Sequence, residues 1–137
     1  MTFESNSKIL KFEGAFHGTC DYVSFSTIPS QNLNFPNPEP DTQGIPKGVK
    51  DTVLVAPYND ADYATQIIRD NKDDLAAVIL CPQTLHIPAD QEFIDAVRSA
   101  TKEKSMHRFP YPNQIGIILL KSWIVILNFL KCLLKLR

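Results

Sequence analysis

TVLVAPYNDADYATQIIRDNKDDLAAVIL, residues 52–80, is the stretch that decides the fold. Thr52 to Ala56 is a short, β-branched apolar run, the pattern of a buried strand. Pro57-Tyr58-Asn59-Asp60 closes it, and Asn59 or Asp60 can cap a helix. Ala64, Ile67 and Ile68 then recur at helical spacing, with Asp62, Arg69 and Asp70 outside the apolar stripe. Asp73-Asp74 ends that helix, and Leu75 to Leu80 reads as a second buried strand. A second helix starts at Asp90, with Phe93, Ile94, Val97 and Ala100 on one face. Strand, helix, strand, helix is the signature of a βαβ unit in a mostly parallel sheet. Both strands are continuously apolar, as expected where helices cover both faces of a sheet. The pattern predicts adjacent, parallel strands near 52–56 and 75–80, joined by a right-handed crossover. It also calls for a third strand after Lys104, which residues 105–114, with Pro110 and Pro112 and no strand period, do not supply.

The composition allows one ordinary globular domain. The chain has 137 residues, 44% hydrophobic and 21% charged. A net charge of −1 gives no electrostatic case for nucleic-acid binding. The N-terminus, Met1-Thr2-Phe3-Glu4-Ser5, lacks a basic-then-apolar run, so no signal peptide is visible. Cys20, Cys81 and Cys132 are far apart and read as reduced intracellular thiols with packing roles. His17, His86 and His107 are equally scattered, and no spacing suggests a metal site. The expected location is cytoplasmic.

Upstream lies KILKFEGAFHGTCDY, residues 8–22. Lys8 to Glu13 is a short strand pattern that runs into a glycine turn. Phe16-His17-Gly18 follow. That order can present a flat apolar face and a hydrogen-bonding group from one loop. The plainer alternative makes Phe16 a core aromatic and His17 a surface or satisfied histidine. Residues 28–50 carry Pro29, Pro36, Pro38, Pro40 and Pro46 with Gly44 and Gly48, and read as a long extended surface loop.

Four segments resemble class III aminotransferases, which use pyridoxal phosphate, and they come in the same order. KFEGAFHG resembles the family's aromatic-His-Gly loop. GIPKGVKDTVLVAPYND resembles the segment that enters the next strand and helix. DDLAAVIL resembles the following strand, and EFIDAVRSATKE the helix after it. The likeness covers about residues 8–104. It implies an α/β fold: part of the large domain of a fold type I, pyridoxal-phosphate-dependent transferase, with a mostly parallel sheet. It implies that Phe16 stacks on the pyridine ring, that His17 faces the cofactor region and that Gly18 allows close approach. It also implies pyridoxal 5'-phosphate as cofactor and a homodimer as the family's assembly.

The chain departs from that pattern at defined places. The family strand ends in an acidic residue followed by proline, whereas here it ends Cys81-Pro82. A thiol has neither the charge nor the acceptor oxygens of a carboxylate. The Gly-containing segment that follows in the family is replaced by Gln83-Thr84-Leu85-His86. The aspartate that pairs with the pyridine nitrogen should follow Lys104 within about ten residues by that pattern, yet no acidic residue occurs after Glu103. The Schiff-base lysine has no matching segment, since Lys121, Lys131 and Lys135 sit in the wrong context. The Gly-rich phosphate loop has no counterpart before Lys8.

The expected organisation is therefore a partial aminotransferase-like domain over residues 1–104 and an unrelated tail over 105–137. Residues 115–136, IGIILLKSWIVILNFLKCLLKL, form two apolar blocks interrupted by Lys121, Asn128, Lys131 and Lys135. Residues 115–134 are expected to be helical and to expose apolar surface. The resulting functional reading is a truncated aminotransferase fragment, inactive by itself. The alternative is a non-enzymatic small protein, associated with a membrane through residues 115–134. The fragment reading carries insolubility or chaperone association through 115–137 as its expectation. A spanning helix needs about 20 largely apolar residues, and Lys121 and Asn128 count against one here.

Overall fold

A computed structural model describes residues 7–29, 34–102, 107–108 and 117–120. The elements in chain order are β1 (Lys8–Phe12), α1 (Lys47–Lys50), β2 (Val53–Ala56), α2 (Ala61–Asp70), β3 (Leu75–Leu80), β4 (Gln83–Thr84), β5 (Ile87–Pro88), α3 (Gln91–Lys102), β6 (His107–Arg108) and β7 (Ile117–Leu120). Five strands form one sheet in the order β2-β1-β3-β7-β6, and β4 and β5 form a separate hairpin.

The fold is α/β and its first three strands are parallel, as the sequence pattern predicts. The predicted adjacency of 52–56 and 75–80 is corrected. β1 lies between them, in register with Val53 to Ala56 on one side and with Leu75 to Val78 on the other. β2 and β3 run in the same direction because each is parallel to β1. Local periodicity identifies strands but carries no information on which strand takes the centre.

Helix α2 starts where the capping argument puts it. The Asp60 carboxylate accepts from the Tyr63 N–H at 2.9 Å, satisfying one of the open donors of the first turn. The helix ends at Asp70, ahead of Asp73, and the Asn71 side chain donates back to the Ile67 carbonyl at 3.0 Å. Ala64, Ile67 and Ile68 of α2 and Phe93, Val97 and Ala100 of α3 are buried in one core with Leu10, Phe12, Leu54, Val78 and Leu80. Both helices thus lie on the same face of the sheet. The expectation of helices on both faces is not met. Phe25, Val53 and Val55 form the core of the opposite face, against Phe35, Ile45 and Val49. The proline-rich segment and the single-turn helix α1 therefore take the place of a full helix there. The same segment shields the outer edge of β2: the Val55 N–H donates to the Pro36 carbonyl at 3.0 Å.

The tail also differs from expectation. Ile117–Leu120 is a strand, not a helix, and pairs antiparallel with Ala77–Leu80. β3 would otherwise present an open row of backbone donors and acceptors, and a short apolar segment can satisfy them. The extra strand after Lys104 is present, but it arrives antiparallel to the first three. The remaining residues of the predicted 115–134 helix lie outside the described residues. Among the described residues, no helix is long and apolar enough to cross a membrane. Cys20 is buried and is not a free thiol, which departs from the expectation of three reduced cysteines. Cys81 is the free cysteine among the described residues.

Three rings tie the layers together. Phe12 of β1 meets Phe93 of α3 edge-on, with centroids 5.0 Å apart. Tyr58 lies 5.5 Å from Phe93 and 6.4 Å from Phe12. Phe93→Ala should cost about 3–5 kcal/mol of unfolding free energy, since it empties the centre of this cluster. Asp60→Ala should cost about 1 kcal/mol through loss of one cap. Denaturant titration with a common slope checks both, and the first loss should exceed the second.

Candidate functional site

The carboxyl ends of β1, β2 and β3 open toward one end of the sheet, where open α/β sheets bind ligands. β1 continues through Glu13, whose N–H donates to the Ala56 carbonyl at 2.9 Å. Gly14 then turns the chain at φ +75°, and its N–H donates to the Ser26 carbonyl at 2.8 Å. A loop over residues 15–25 is thereby closed at its base. A side chain at position 14 would be strained by that φ and would lie 3.1 Å from Leu85 Cδ1. Thr84 of the β4–β5 hairpin donates to the Gly14 carbonyl and braces the same turn.

The loop carries the three residues singled out from the sequence. Phe16 is 64% exposed, so the core-aromatic alternative fails. Its ring is a free flat face at the carboxyl end of the parallel strands. His17 is half-buried, and its Nε2 is buried with no hydrogen-bond partner among the described residues. Burial lowers the imidazole pKa to about 4, and the Lys11 charge adds to the fall. His17 is therefore a neutral imidazole at pH 7, with one ring nitrogen unsatisfied. Gly18 has φ +92°, a conformation that favours glycine and lets the loop turn directly behind the ring.

Two neighbouring groups were not predicted from sequence. Tyr58, just beyond β2, donates its hydroxyl to the Cys81 carbonyl at 2.8 Å and so joins the ends of β2 and β3. Burial raises its pKa to about 12, helped by Cys81 and Asp90, which keeps the donor protonated. Lys11, the fourth of the five residues of β1, is fully buried. Its Nζ donates to the Val23 carbonyl at 3.1 Å and to the Phe25 carbonyl. The alternation of KILKF placed Lys11 on the face of Ile9, opposite Leu10 and Phe12, and that was the available signal.

At the end of β3, the Cys81 thiol donates to the Gln83 carbonyl at 2.8 Å. This position therefore supplies no carboxylate. Among the described residues, no cluster of His, Cys, Asp or Glu could hold a metal ion.

Comparison with known proteins agrees with this arrangement. A glutamate-1-semialdehyde 2,1-aminomutase of Methanococcus maripaludis is 41% identical over 76 residues, covering 56% of this chain and 17% of that protein. Its counterpart in another strain is 33% identical over 103 residues, covering 73% of this chain and 23% of that protein. The crystal structure of an omega-transaminase from Sphaerobacter thermophilus superimposes with a TM-score of 0.65 at 35% identity, over 72% of this chain and 24% of that one. A structure titled as a transaminase with PLP bound gives a TM-score of 0.64 at 34% identity, over 72% of this chain and 23% of that one. No protein-family model matches the chain.

These likenesses identify the aligned part of the chain as a segment of a class III aminotransferase. Within that family, the curated relatives quoted above are glutamate-1-semialdehyde 2,1-aminomutases. The chain spans about a fifth of their length, from 17% to 23%.

The neutral His17 has a consequence for stability. Its pKa is about 6.5 when unfolded and about 4 when folded. Between those values the unfolded chain binds more protons, so stability rises with pH across the window and falls on acidification from about 6.5 to 4. Allowing for the imidazole's partial exposure, the loss should be about 1 kcal/mol at about pH 5. His17→Gln should remove that share. Thermal unfolding of both proteins at pH 7 and pH 5 checks this, and parallel shifts in the two would refute it.

Proposed function

We propose that this chain is part of the cofactor-binding domain of a pyridoxal-phosphate-dependent enzyme that transfers or relocates an amino group. In this reading Phe16 supplies the surface that stacks on the cofactor ring. The exposed Phe16 face beside the unsatisfied His17 Nε2 carries the reading. Phe16 projects at the carboxyl end of a parallel sheet and fits one face of a flat heteroaromatic ring, with the buried His17 nitrogen next to it in the loop. Pyridoxal phosphate, when bound, supplies an electron sink for chemistry at the carbon bearing the amino group. Phe16 would bind by its face, His17 would stand as a neutral imidazole on the cofactor side of the loop, and Gly18 would let the backbone approach. Tyr58 would hold the ends of β2 and β3 together beneath the site.

The proposal extends to inactivity of this sequence acting alone, in the cytoplasm. Cys81 stands where the family has an acidic residue, and residues 104–137 hold no carboxylate side chain for the pyridine nitrogen. No segment of these 137 residues matches the family's Schiff-base lysine. Aromatic stacking is worth about 0.5–1.5 kcal/mol beyond area burial. Micromolar affinity needs about 8 kcal/mol, so the loop by itself cannot hold the cofactor tightly.

Two measurements test the reading. At about millimolar pyridoxal phosphate, the NMR signals of the Phe16 ring and the His17 imidazole should shift together, and Phe16→Ala should abolish the His17 shift. Absence of any shift removes the cofactor face. Borohydride reduction followed by peptide mapping should give no single stoichiometric lysine adduct, and incubation with amine donors should give no turnover. A saturable adduct on one lysine would instead show a competent site on this chain.

A further inference from the structure

Among the described residues, Lys11 is the one fully buried charged side chain. Burying an ammonium is costly unless it is paired and hydrogen-bonded. Leucine or methionine would fill the same space without that cost. What the ammonium does is specific: it reaches the carbonyls of Val23 and Phe25, both on the limb by which the Phe16–His17 loop returns to the sheet.

That limb has little regular structure of its own. Its other ties include the Gly14-to-Ser26 bond at 2.8 Å at the loop base, the Val23 and Ser24 N–H groups and the Ser24 hydroxyl to the Cys20 carbonyl, the Glu39 N–H to the Ser26 hydroxyl at 3.1 Å, Cys20, which is not a free thiol, and an irregular pairing with residues 39–41. In that pairing the Ser26 N–H donates to the Glu39 carbonyl at 2.7 Å and the Asp41 N–H to the Ser24 carbonyl at 3.0 Å. Among the described residues, Asp41 and His17 interact electrostatically with Lys11. Asp41 comes from the 39–41 segment, where its carboxylate is held by the Thr27 N–H at 3.0 Å and the Thr27 hydroxyl at 2.6 Å. His17 comes from the loop itself.

We propose that Lys11 is the positioning residue of this loop, its ammonium holding the return limb through the Val23 and Phe25 carbonyls and so fixing where Phe16 and His17 stand. The proposal rests on the cofactor-facing reading of the loop for its functional meaning, but its geometry does not involve the cofactor. Lys11 lies on the sheet face away from the α2–α3 core. It acts through the loop. Burial brings its pKa down to about 8, against the opposing pull of Asp41.

The test uses the full chain without cofactor. In Lys11→Met, the His17 imidazole should titrate at higher pH, because a neighbouring positive charge is gone. The amide of Gly14 and those of residues 23–26 should exchange roughly tenfold faster or more, as a locally released segment does. Lys11→Arg should restore both towards wild type. A folded Lys11→Met protein with unchanged His17 titration and unchanged exchange overturns the proposal. A second measurement needs no variant. In the wild-type chain, the Gly14 amide and His17 ring signals, followed from pH 7 to 10, should shift with the same midpoint as the Lys11 Cε signal, near pH 8. Signals that do not move, or that move with a midpoint other than that of the Lys11 Cε signal, overturn the proposal as well. If these results hold while pyridoxal phosphate shifts neither Phe16 nor His17, the positioning role stands and the cofactor reading falls.

Discussion

Everything in the described structure depends on β1 being hydrogen-bonded along both of its edges. Five residues make this strand. On one side they take β2 in parallel register, and on the other they take β3 with an irregularity between Lys8 and Ile9. Leu10 and Phe12 point into the core under the helices, while Lys11 points to the opposite side. One short segment therefore sets the sheet order, anchors the helical layer and holds the loop of the candidate site from behind. Backbone groups inside a sheet must be paired, so losing β1 would strand donors and acceptors on both neighbours at once.

The elements with strong local signals were legible from sequence. β2, α2, β3 and α3 could be read from apolar runs, helical spacing and the Asp60 cap. What failed were properties that no local pattern encodes. The central place of β1 depends on pairing between segments far apart in the chain. The placement of both helices on one face depends on what covers the other face. That cover is a proline-rich segment, whose apolar contributions from Phe35, Ile45 and Val49 are spread too thinly to show a period. At Ile117–Leu120, a run rich in β-branched and leucine residues is ambiguous between helix and strand, and an unpaired sheet edge decided it.

The candidate site was legible in part. The sequence showed an aromatic ring and an imidazole beside a glycine, and only the structure shows that the ring is outside and one imidazole nitrogen lacks a partner. Lys11 was hidden because lysine in a short strand is normally read as solvent-facing. Period-two alternation placed it beside Ile9, but the carbonyls that receive it lie 12 and 14 residues further along. Such a contact is set by the path of the loop rather than by any spacing within the strand. Cys81 is the opposite case. The thiol was conspicuous in the sequence, and the structure finds it occupied with a carbonyl two residues away.

The Pro36 carbonyl on the Val55 N–H makes the sheet one-directional. A proline there accepts a hydrogen bond but has no N–H to offer in return, so the β2 border cannot template another strand at that point. Among the described residues, the strands added to the parallel trio, β7 and β6, lie on the β3 side. The sheet can therefore recruit further chain without growing in the other direction, and an arrangement of this kind tolerates changes of sequence beyond β3 more readily than changes before β2.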